Sequence, residues 1–297
     1  MGIAAGLGAG ALWGLVFVAP RMVGHFGMVD ITAARFAVFG AVSALAVFAR
    51  PAALRWPTGR QALAALALSV LGFSGYYLLL AFGIAAAGTE VPSLIIGTIP
   101  VWMMLLGRPA GLHMRALLPG LLLTGAGIAL MIWGAWSAQH GAGGGGARFG
   151  WGIALALCSM VSWTVYGLLN AAWLQRHREV HAADWANWLG IATGLGALLL
   201  WAVAGSGVAT LQSQPDGMLF IWIALASGFG SSWLATILWN VASQRLSASL
   251  CGQLIVSETL FALLYSFLWD GRWPQTTEWV AAALFVLGIL ASIKAHR

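Results

Sequence analysis

The chain carries very little charge. Asp, Glu, Lys and Arg make up 7% of its 297 residues, against about 25% in an average soluble domain. Hydrophobic residues make up 61% of the chain, and its mean hydropathy is +0.89. A soluble protein of this size needs far more polar groups to cover its surface. The composition therefore excludes a soluble enzyme, a disordered chain and a nucleic-acid-binding protein.

Cysteine and catalytic motifs are also scarce. Cys158 and Cys251 both lie inside apolar runs, so no disulfide framework is readable. His177 and His181 are four residues apart but belong to a charged connection, which does not favour a metal site. The sequence has no GxxxxGK[ST], HExxH or GxSxG motif, so nothing indicates nucleotide hydrolysis or nucleophilic catalysis. We expect a chain that is not an enzyme, with no catalytic residues, no metal and no cofactor.

Long apolar runs dominate the chain. A transmembrane helix needs about 20 mostly apolar residues, and the runs are too long and too uniform for barrel strands. Ten segments meet this requirement, at about 2–19, 30–49, 61–86, 90–107, 114–135, 149–174, 184–204, 217–241, 247–269 and 275–295. The predicted fold class is all-α: a polytopic membrane protein with ten transmembrane helices, called spans 1 to 10.

The basic residues are distributed unevenly between alternate connections. With the N-terminus inside, 10 of the 14 Lys and Arg fall in cytoplasmic connections, three fall outside, and Arg35 lies within span 2. Because positive charge stays on the cytoplasmic side, both termini are predicted to be cytoplasmic. Orientation in a membrane thus explains the net charge of +6, and we expect no nucleic-acid partner.

A glycine-rich stretch divides the chain. Residues 136–148 include four consecutive glycines from Gly143 to Gly146, a composition typical of a flexible linker. On either side lie five spans each. We predict a first five-helix repeat at 1–135, an outer linker at 136–148 and a second repeat at 149–297.

The two halves align weakly in sequence. Placing Trp13 on Trp163 matches the first spans, and a later alignment places Pro100 on Glu258. Because five is odd, the second half must enter the membrane in the opposite sense. Inverted repeats are a recurring plan of secondary transporters, with the substrate site near the membrane midplane. The fold is therefore predicted as two inverted five-helix repeats.

Glu258 lies near the middle of span 9. A charged side chain there costs about 2.5–3.5 kcal/mol if it faces lipid, so it must face protein or water. Helical spacing places Cys251 and Tyr265 on its face. Two interpretations stay open: a cavity carboxylate that binds a substrate ammonium group or carries a proton, and a buried glutamate bonded to a neighbouring helix.

Pro100 occupies the corresponding place in span 4. A proline within a helix frees a carbonyl and kinks the chain, and Ser93 shares its face. Such a break occurs where the backbone lines a cavity or packs within protein. The sequence leaves both interpretations open.

Aromatic and small polar residues share helical faces in spans 6 and 8. Trp163 and Tyr166 follow Ser159 on one face, and Trp239 lies near Ser232 on another. Such a lining suits a zwitterion with an apolar or aromatic side chain, because rings offer stacking and cation–π attraction. Helix packing is an equal alternative for each of these residues.

Arg35 lies roughly 7 Å inside the outer end of span 2, at 1.5 Å per residue. It can snorkel to the interface, bond to Asp30, or offer its guanidinium to a substrate carboxylate. We favour snorkelling or the bond with Asp30.

Ten spans in two inverted halves, a tryptophan in the first span of each half and the Pro100/Glu258 pair resemble the drug/metabolite transporter superfamily, and specifically its EamA type. Length, tryptophan content and the uncharged first span are most similar to the YddG-type aromatic amino acid exporters. The resemblance implies a central cavity formed by spans 1–4 and 6–9, in the bacterial inner (cytoplasmic) membrane. The acid that many relatives carry at the end of span 4 is missing near 111–113, whereas Asp270 stands in for it in the second half. This departure weakens any mechanism that needs both acids.

Ten residues are the candidates for the substrate cavity, from the resemblance and from the faces described above. They are Trp13, Tyr77, Ser93, Pro100, Trp102, Trp163, Tyr166, Trp239, Glu258 and Tyr265. Trp102 belongs to this set if the break at Pro100 turns it inward.

The predicted function is a secondary transporter that exports amino acids, aromatic and other neutral ones, and related metabolites by alternating access. The alternatives are a transporter of the same plan for a drug cation or a sugar derivative, and a non-transporting membrane scaffold. The expected partners are the small-molecule substrate and the lipid bilayer. The sequence leaves the oligomeric state open, a monomer included, together with proton coupling and the resting conformation.

Overall fold

The computed structural model describes residues 1–49, 56–87, 90–137 and 147–296, so most of the predicted linker lies outside the described residues. The described part is helical and contains no strand. Its α-helices are α1 Gly2–Gly14, α2 Ala19–Met22, α3 Met28–Phe48, α4 Gly59–Ser69, α5 Gly75–Ala87, α6 Glu90–Ile96, α7 Ile99–Leu106, α8 Met114–Ser137, α9 Ala147–Arg176, α10 Ala182–Ala204, α11 Val208–Ser213, α12 Gly217–Ser227, α13 Ala235–Arg245, α14 Ala248–Asp270 and α15 Thr276–Ala295.

Eight helical segments within the described residues are long and apolar enough to cross a membrane. They are Met28–Phe48, Gly59–Ala87, Met114–Met131, Ala147–Arg176, Ala182–Ala204, Gly217–Arg245, Ala248–Asp270 and Thr276–Ala295. Two shorter apolar helices occupy Gly2–Phe17 and Val91–Leu106. Eight of the predicted spans coincide with the long segments, and spans 1 and 4 coincide with the two shorter helices. The prediction of an all-α, polytopic membrane protein is confirmed.

The two shorter segments are both interrupted. The first leaves α-helical geometry after Gly14 and continues as a 3₁₀ turn over Leu15–Phe17. The second ends at Ile96 and begins again at Ile99, with Pro100 in the first turn of the new helix. Proline is well tolerated there, because an amide in the first turn has no intrahelical partner. The predicted kink at Pro100 is thus a complete break.

Two longer segments contain a wide, π-helical turn. One covers Val70–Ser74 between α4 and α5, and the other covers Gly228–Leu234 between α12 and α13. Such turns disturb the regular ladder of carbonyls and amides. The hydroxyl of Ser162 in α9 donates to the carbonyl of Leu71 at 2.7 Å. A neighbouring helix therefore binds the backbone of the first wide turn.

Both chain ends lie at one end of the bundle, which we call the terminal side. There Gly2 packs against Arg245 and Leu246, and Leu112 shares a surface pocket with His296. The opposite end is called the linker side, because α8 ends and α9 begins there. On that side Arg21 and Asp270 form an ion pair of 2.5 Å, which ties the end of α2 to the end of α14.

Asp30 anchors the start of α3 on the linker side. Its side chain is 3% exposed, and its carboxylate accepts hydrogen bonds from the amide and the hydroxyl of Ser206 at 2.8 and 2.7 Å. The expected bond between Asp30 and Arg35 is therefore wrong. The loop after α10 supplies two donors to this carboxylate, and Arg35 lies further along α3.

Small residues bring several helices close together. In α3, a Cβ on Gly40 would lie 2.6 Å from the Cα of Gly194 in α10. Helix α8 packs mainly on α15, α5 packs on α9, and α1 packs on both α13 and α14. These pairings enclose the side chains described next.

Candidate functional site

Three tryptophans from three helices meet in the interior. Between ring centroids, Trp13 of α1 lies 6.2 Å from Trp163 of α9 and 5.4 Å from Trp239 of α13, and Trp163 lies 6.1 Å from Trp239. The ring planes are tilted or perpendicular, the arrangement that aromatic pairs prefer over a face-to-face sandwich. The structure thus brings together three of the ten predicted residues, and we call them the tryptophan cluster.

The cluster has an unused hydrogen-bond donor. Trp239 is 1% exposed, and its Nε1 has no hydrogen-bond partner among the described residues. Buried polar groups are nearly always paired, so this N–H is available to an acceptor. Trp13 and Trp163 are only partly buried, which leaves ring surface accessible at the same place.

A chain of aromatic contacts continues from the cluster to α3. Trp163 lies 5.8 Å from Tyr166, Tyr166 lies 5.4 Å from Phe73, and Phe36 lies 5.9 Å from Phe73 and 6.3 Å from Tyr77. Tyr166 and Tyr77 were predicted, whereas Phe36 and Phe73 were not. These phenylalanines carry no polar signal in the sequence, and only the packing of α3 against the wide turn reveals them.

Tyr77 and Tyr166 are both packed within this chain of rings. Tyr166 is 2% exposed and Tyr77 is 9% exposed. The Tyr77 hydroxyl donates to the carbonyl of Met28 at 3.2 Å, at the first residue of α3. Tyr77 therefore also holds the linker-side end of α3 in position.

Glycine lets α1 approach the part of α14 that carries Glu258. A Cβ on Gly10 would overlap the Ser257 hydroxyl and lie 3.1 Å from the Glu258 amide nitrogen. Trp13 follows Gly10 by about one helical turn. The same helix contact therefore holds the tryptophan cluster beside the middle of α14.

Glu258 faces the interior. The charge of its carboxylate interacts electrostatically with Arg35 of α3 and with Tyr76 of α5. Arg35 itself stays inside the bundle: its Nε is buried without a hydrogen-bond partner among the described residues, and its guanidinium lies 4.8 Å from the centroid of the Phe36 ring. The expectation that Arg35 snorkels to the interface is therefore wrong.

The broken segment α6–α7 contributes in two ways. Pro100 is buried, and its neighbour Ile99 packs in the same hydrophobic group as the tryptophan cluster. Ser93, one helix before the break, is exposed. Trp102 is 43% exposed and donates from Nε1 to the Thr98 hydroxyl at 3.2 Å. Among the described residues it makes no ring contact with the cluster.

Tyr265 lies elsewhere, in a mostly apolar cavity of about 410 Å³. The cavity opens between the 3₁₀ turn after α1, α2, α12 and the linker-side part of α14, with Leu15, Ile223 and Trp269 among its walls. Tyr265 also stacks on Phe261 one turn earlier, with centroids 6.0 Å apart. The structure therefore separates Tyr265 from the tryptophan cluster.

The terminal side is closed by tight packing between α7 and α14. A Cβ on Gly252 would lie 3.2 Å from the carbonyl carbon of Met103, and Met103, Met104 and Cys251 are all 0% exposed. Ser93 lies toward the linker side of the same broken segment and is exposed. The terminal-side end of this broken segment is therefore tightly packed, whereas Ser93 toward its linker-side end is exposed.

Known proteins similar to this chain identify its family. The model of the EamA-like transporter family matches residues 150–293. The inner membrane protein YtfF of Escherichia coli (strain K12) is 33% identical, covering 99% of this chain and 95% of that protein. The chain belongs to the EamA-like transporter family. The resemblance to the EamA type is thereby confirmed.

Two further similarities agree with the family. A Streptantibioticus cattleyicolor protein named "Probable terminal-alkyne amino-acid exporter" is 26% identical over 94% of this chain and 88% of its own. A solved crystal structure matches with a TM-score of 0.79 at 21% sequence identity, covering 100% of this chain and 97% of that one. The structural match shows a shared fold. This EamA-family chain is a multi-pass membrane transporter.

Proposed function

We propose that this chain is a secondary transporter that exports amino acids, aromatic and other neutral ones, and related metabolites from the bacterial cytoplasm across the inner membrane. The observation that carries this proposal is the tryptophan cluster of α1, α9 and α13, together with the packing of α1 on α14 at Glu258. The rings offer surface to an apolar or aromatic side chain, and the carboxylate offers a partner to an ammonium group. The inner-membrane relative and the relative named as an amino-acid exporter support the same function.

The packing supports two inverted five-helix repeats with cytoplasmic termini. Each half contains one wide turn, at Val70–Ser74 and at Gly228–Leu234. Helix α5 of the first half packs on α9 of the second, and α13 of the second packs on α1 of the first. Exchange of the two halves converts one contact into the other. A two-fold axis in the membrane plane produces this relationship, and the substrate site of such transporters lies near that axis.

Alternating access is the mechanism that we propose for this bundle. With the termini in the cytoplasm, the tight packing of α7 on α14 is the closed cytoplasmic gate, and the side of Ser93 is open to the exterior. Export then requires that α7 and α14 separate on the terminal side while the two repeats come together on the linker side. The tryptophan cluster and Glu258 lie between the two gates, where both states can reach them.

Efflux of labelled phenylalanine, threonine and methionine tests the proposal. Proteoliposomes or cells with the wild-type chain are compared with Glu258→Gln and with Glu179→Gln, whose side chain is exposed in a connection. We expect protein-dependent efflux for the wild type and for Glu179→Gln. Loss of a charge-assisted bond of about 1.5–3 kcal/mol predicts an efflux of phenylalanine about tenfold to hundredfold slower for Glu258→Gln.

Two results would contradict parts of this proposal. If the wild-type chain supports no efflux of any of the three amino acids, amino-acid export is wrong. If Glu258→Gln exports all three at the wild-type rate, the carboxylate takes no part in binding or coupling.

A further inference from the structure

Arg35 is a cation inside the bundle without an anionic partner in contact. It forms no ion pair of 4.0 Å or less and no hydrogen bond with the described residues. A buried charge is costly unless it is paired, and guanidinium groups bind carboxylates through two parallel N–H donors. The position therefore favours an anion that is not part of the described chain.

Most of the other described carboxylates are either bonded to another residue or exposed. Asp30 accepts from Ser206, Asp270 pairs with Arg21, Glu278 pairs with Arg272, and Glu179, Asp184 and Asp216 are exposed. Glu258 is the described carboxylate that interacts electrostatically with Arg35. The two side chains nevertheless form no direct ion pair, so a gap separates them.

The two residues lie at different depths in the bundle. Arg35 lies seven residues after the start of α3 on the linker side, and Glu258 lies twelve residues before the end of α14 on the same side. At 1.5 Å per residue their depths differ by about 8 Å. An α-amino acid whose carboxylate and ammonium each form a hydrogen bond of about 2.8 Å has a length comparable to this offset.

We propose that Arg35 binds the substrate carboxylate and that Arg35 and Glu258 together select substrates with a free carboxylate and a free ammonium group on the same carbon. This inference rests on the proposed function of amino-acid transport. Tyr76 lies near both charged groups. The tryptophan cluster contacts the side chain of the bound substrate. The two charged residues come from different halves, so a bound zwitterion joins α3 to α14.

Direct binding of three compounds tests this selection. Isothermal titration calorimetry on the purified full-length chain measures L-phenylalanine, phenylalaninamide, which lacks the carboxylate, and 3-phenylpropionate, which lacks the amine. The wild type is expected to bind phenylalanine at least tenfold more tightly than either analogue. In Arg35→Gln the affinity for phenylalanine falls about tenfold to hundredfold, while that for phenylalaninamide is unchanged.

The remaining variants separate recognition from folding. Arg35→Lys keeps the positive charge and is expected to recover part of the affinity for phenylalanine. Glu258→Gln is expected to lower the affinity for phenylalanine and to leave the affinity for 3-phenylpropionate unchanged. The exposed Arg60→Gln serves as the matched control and binds all three compounds as the wild type does. Unchanged binding of phenylalaninamide shows that Arg35→Gln is folded.

Three outcomes overturn the inference. The first is that Arg35→Gln binds phenylalanine with the wild-type affinity. The second is that Arg35→Gln loses affinity for phenylalanine and phenylalaninamide equally, because Arg35 then acts through the fold. If the wild-type chain exports phenylalanine in the efflux assay and either of these results is obtained, the inference fails alone. If the wild-type chain neither binds nor exports phenylalanine, both the inference and the proposed function fail.

Discussion

The backbone amide of Ser249 donates a hydrogen bond to the carbonyl of Gly107, 3.0 Å away. Ser249 lies in the first turn of α14, and Gly107 follows the last residue of α7. Helix ends leave such amides and carbonyls without intrahelical partners, and here two ends satisfy each other. The Ser249 hydroxyl adds a bond to the Met104 carbonyl at 2.9 Å. This contact holds the terminal-side ends of α7 and α14 together.

Gly107→Ala is expected to destabilise the chain. The added Cβ would lie 2.7 Å from both the Met103 carbonyl oxygen and the Ser249 amide nitrogen, and these are backbone atoms that cannot rotate away. Overpacking of this kind costs about 1–3 kcal/mol. The melting temperature of the detergent-solubilised chain should fall by several degrees. Gly111→Ala, with nothing within 4 Å of the added Cβ, should leave it unchanged, and equal shifts for the two variants would disprove the close contact.

Asp30→Ala is expected to destabilise the linker side. Removal of the buried carboxylate leaves both donors of Ser206 without their acceptor, and hydrogen bonds to charged groups contribute about 1.5–3 kcal/mol. Asp184→Ala is the matched control, because Asp184 occupies the first turn of α10 but is exposed. Thermal unfolding in detergent should show a clear decrease for Asp30→Ala and little change for the control. A decrease of the same size in both variants would mean that Ser206 does not hold Asp30.

The helices and part of the site follow from the sequence. Apolar length alone predicts a membrane helix, because lipid demands about 20 apolar residues in succession, and the eight long segments were predicted in this way. The three residues of the tryptophan cluster were named separately as cavity candidates, Trp163 and Trp239 from the polar neighbours on their helical faces and Trp13 from the family resemblance. The periodicity along one helix depends only on residues that are close in sequence, so it can be read from the sequence alone.

The contacts of Arg35 and Asp30 do not follow from the sequence. Asp30 and Arg35 are close along α3, which favoured a bond between them, yet the donors to Asp30 come from Ser206, 176 residues away. Which loop folds over a helix end depends on the arrangement of the whole bundle. The wide turns were also missed, although both contain a Gly-Phe pair, at Gly72 and at Gly228. A single glycine pair is too common in membrane helices to predict such a turn.

Trp13→Ala is expected to weaken transport of aromatic amino acids selectively. Its ring contacts both Trp163 and Trp239, and an aromatic contact contributes about 0.5–1.5 kcal/mol beyond buried area. Phenylalanine efflux should fall about twofold to tenfold, whereas threonine efflux should change less, because threonine has no ring to stack. Trp279→Ala, at an exposed position on α15, should affect neither. A loss of equal size for phenylalanine and threonine would mean that Trp13 supports the fold and not the ring of the substrate.

Cysteine labelling is expected to distinguish the two sides of the bundle. In a Cys158→Ser background, Ser93→Cys places a thiol at an exposed position toward the linker side, while the native Cys251 toward the terminal side is 0% exposed. A charged, membrane-impermeant methanethiosulfonate reagent reacts with thiols that water reaches and not with thiols that face lipid. Added from outside intact cells, it should label Ser93→Cys and leave Cys251 unmodified, and mass spectrometry of the purified chain reads out both sites. Protection of Ser93→Cys from the external reagent, together with modification of Cys251 when the reagent is added to the cytoplasmic face of inverted membrane vesicles, would show the opposite arrangement, in which the packing between α7 and α14 is open and the external side is closed.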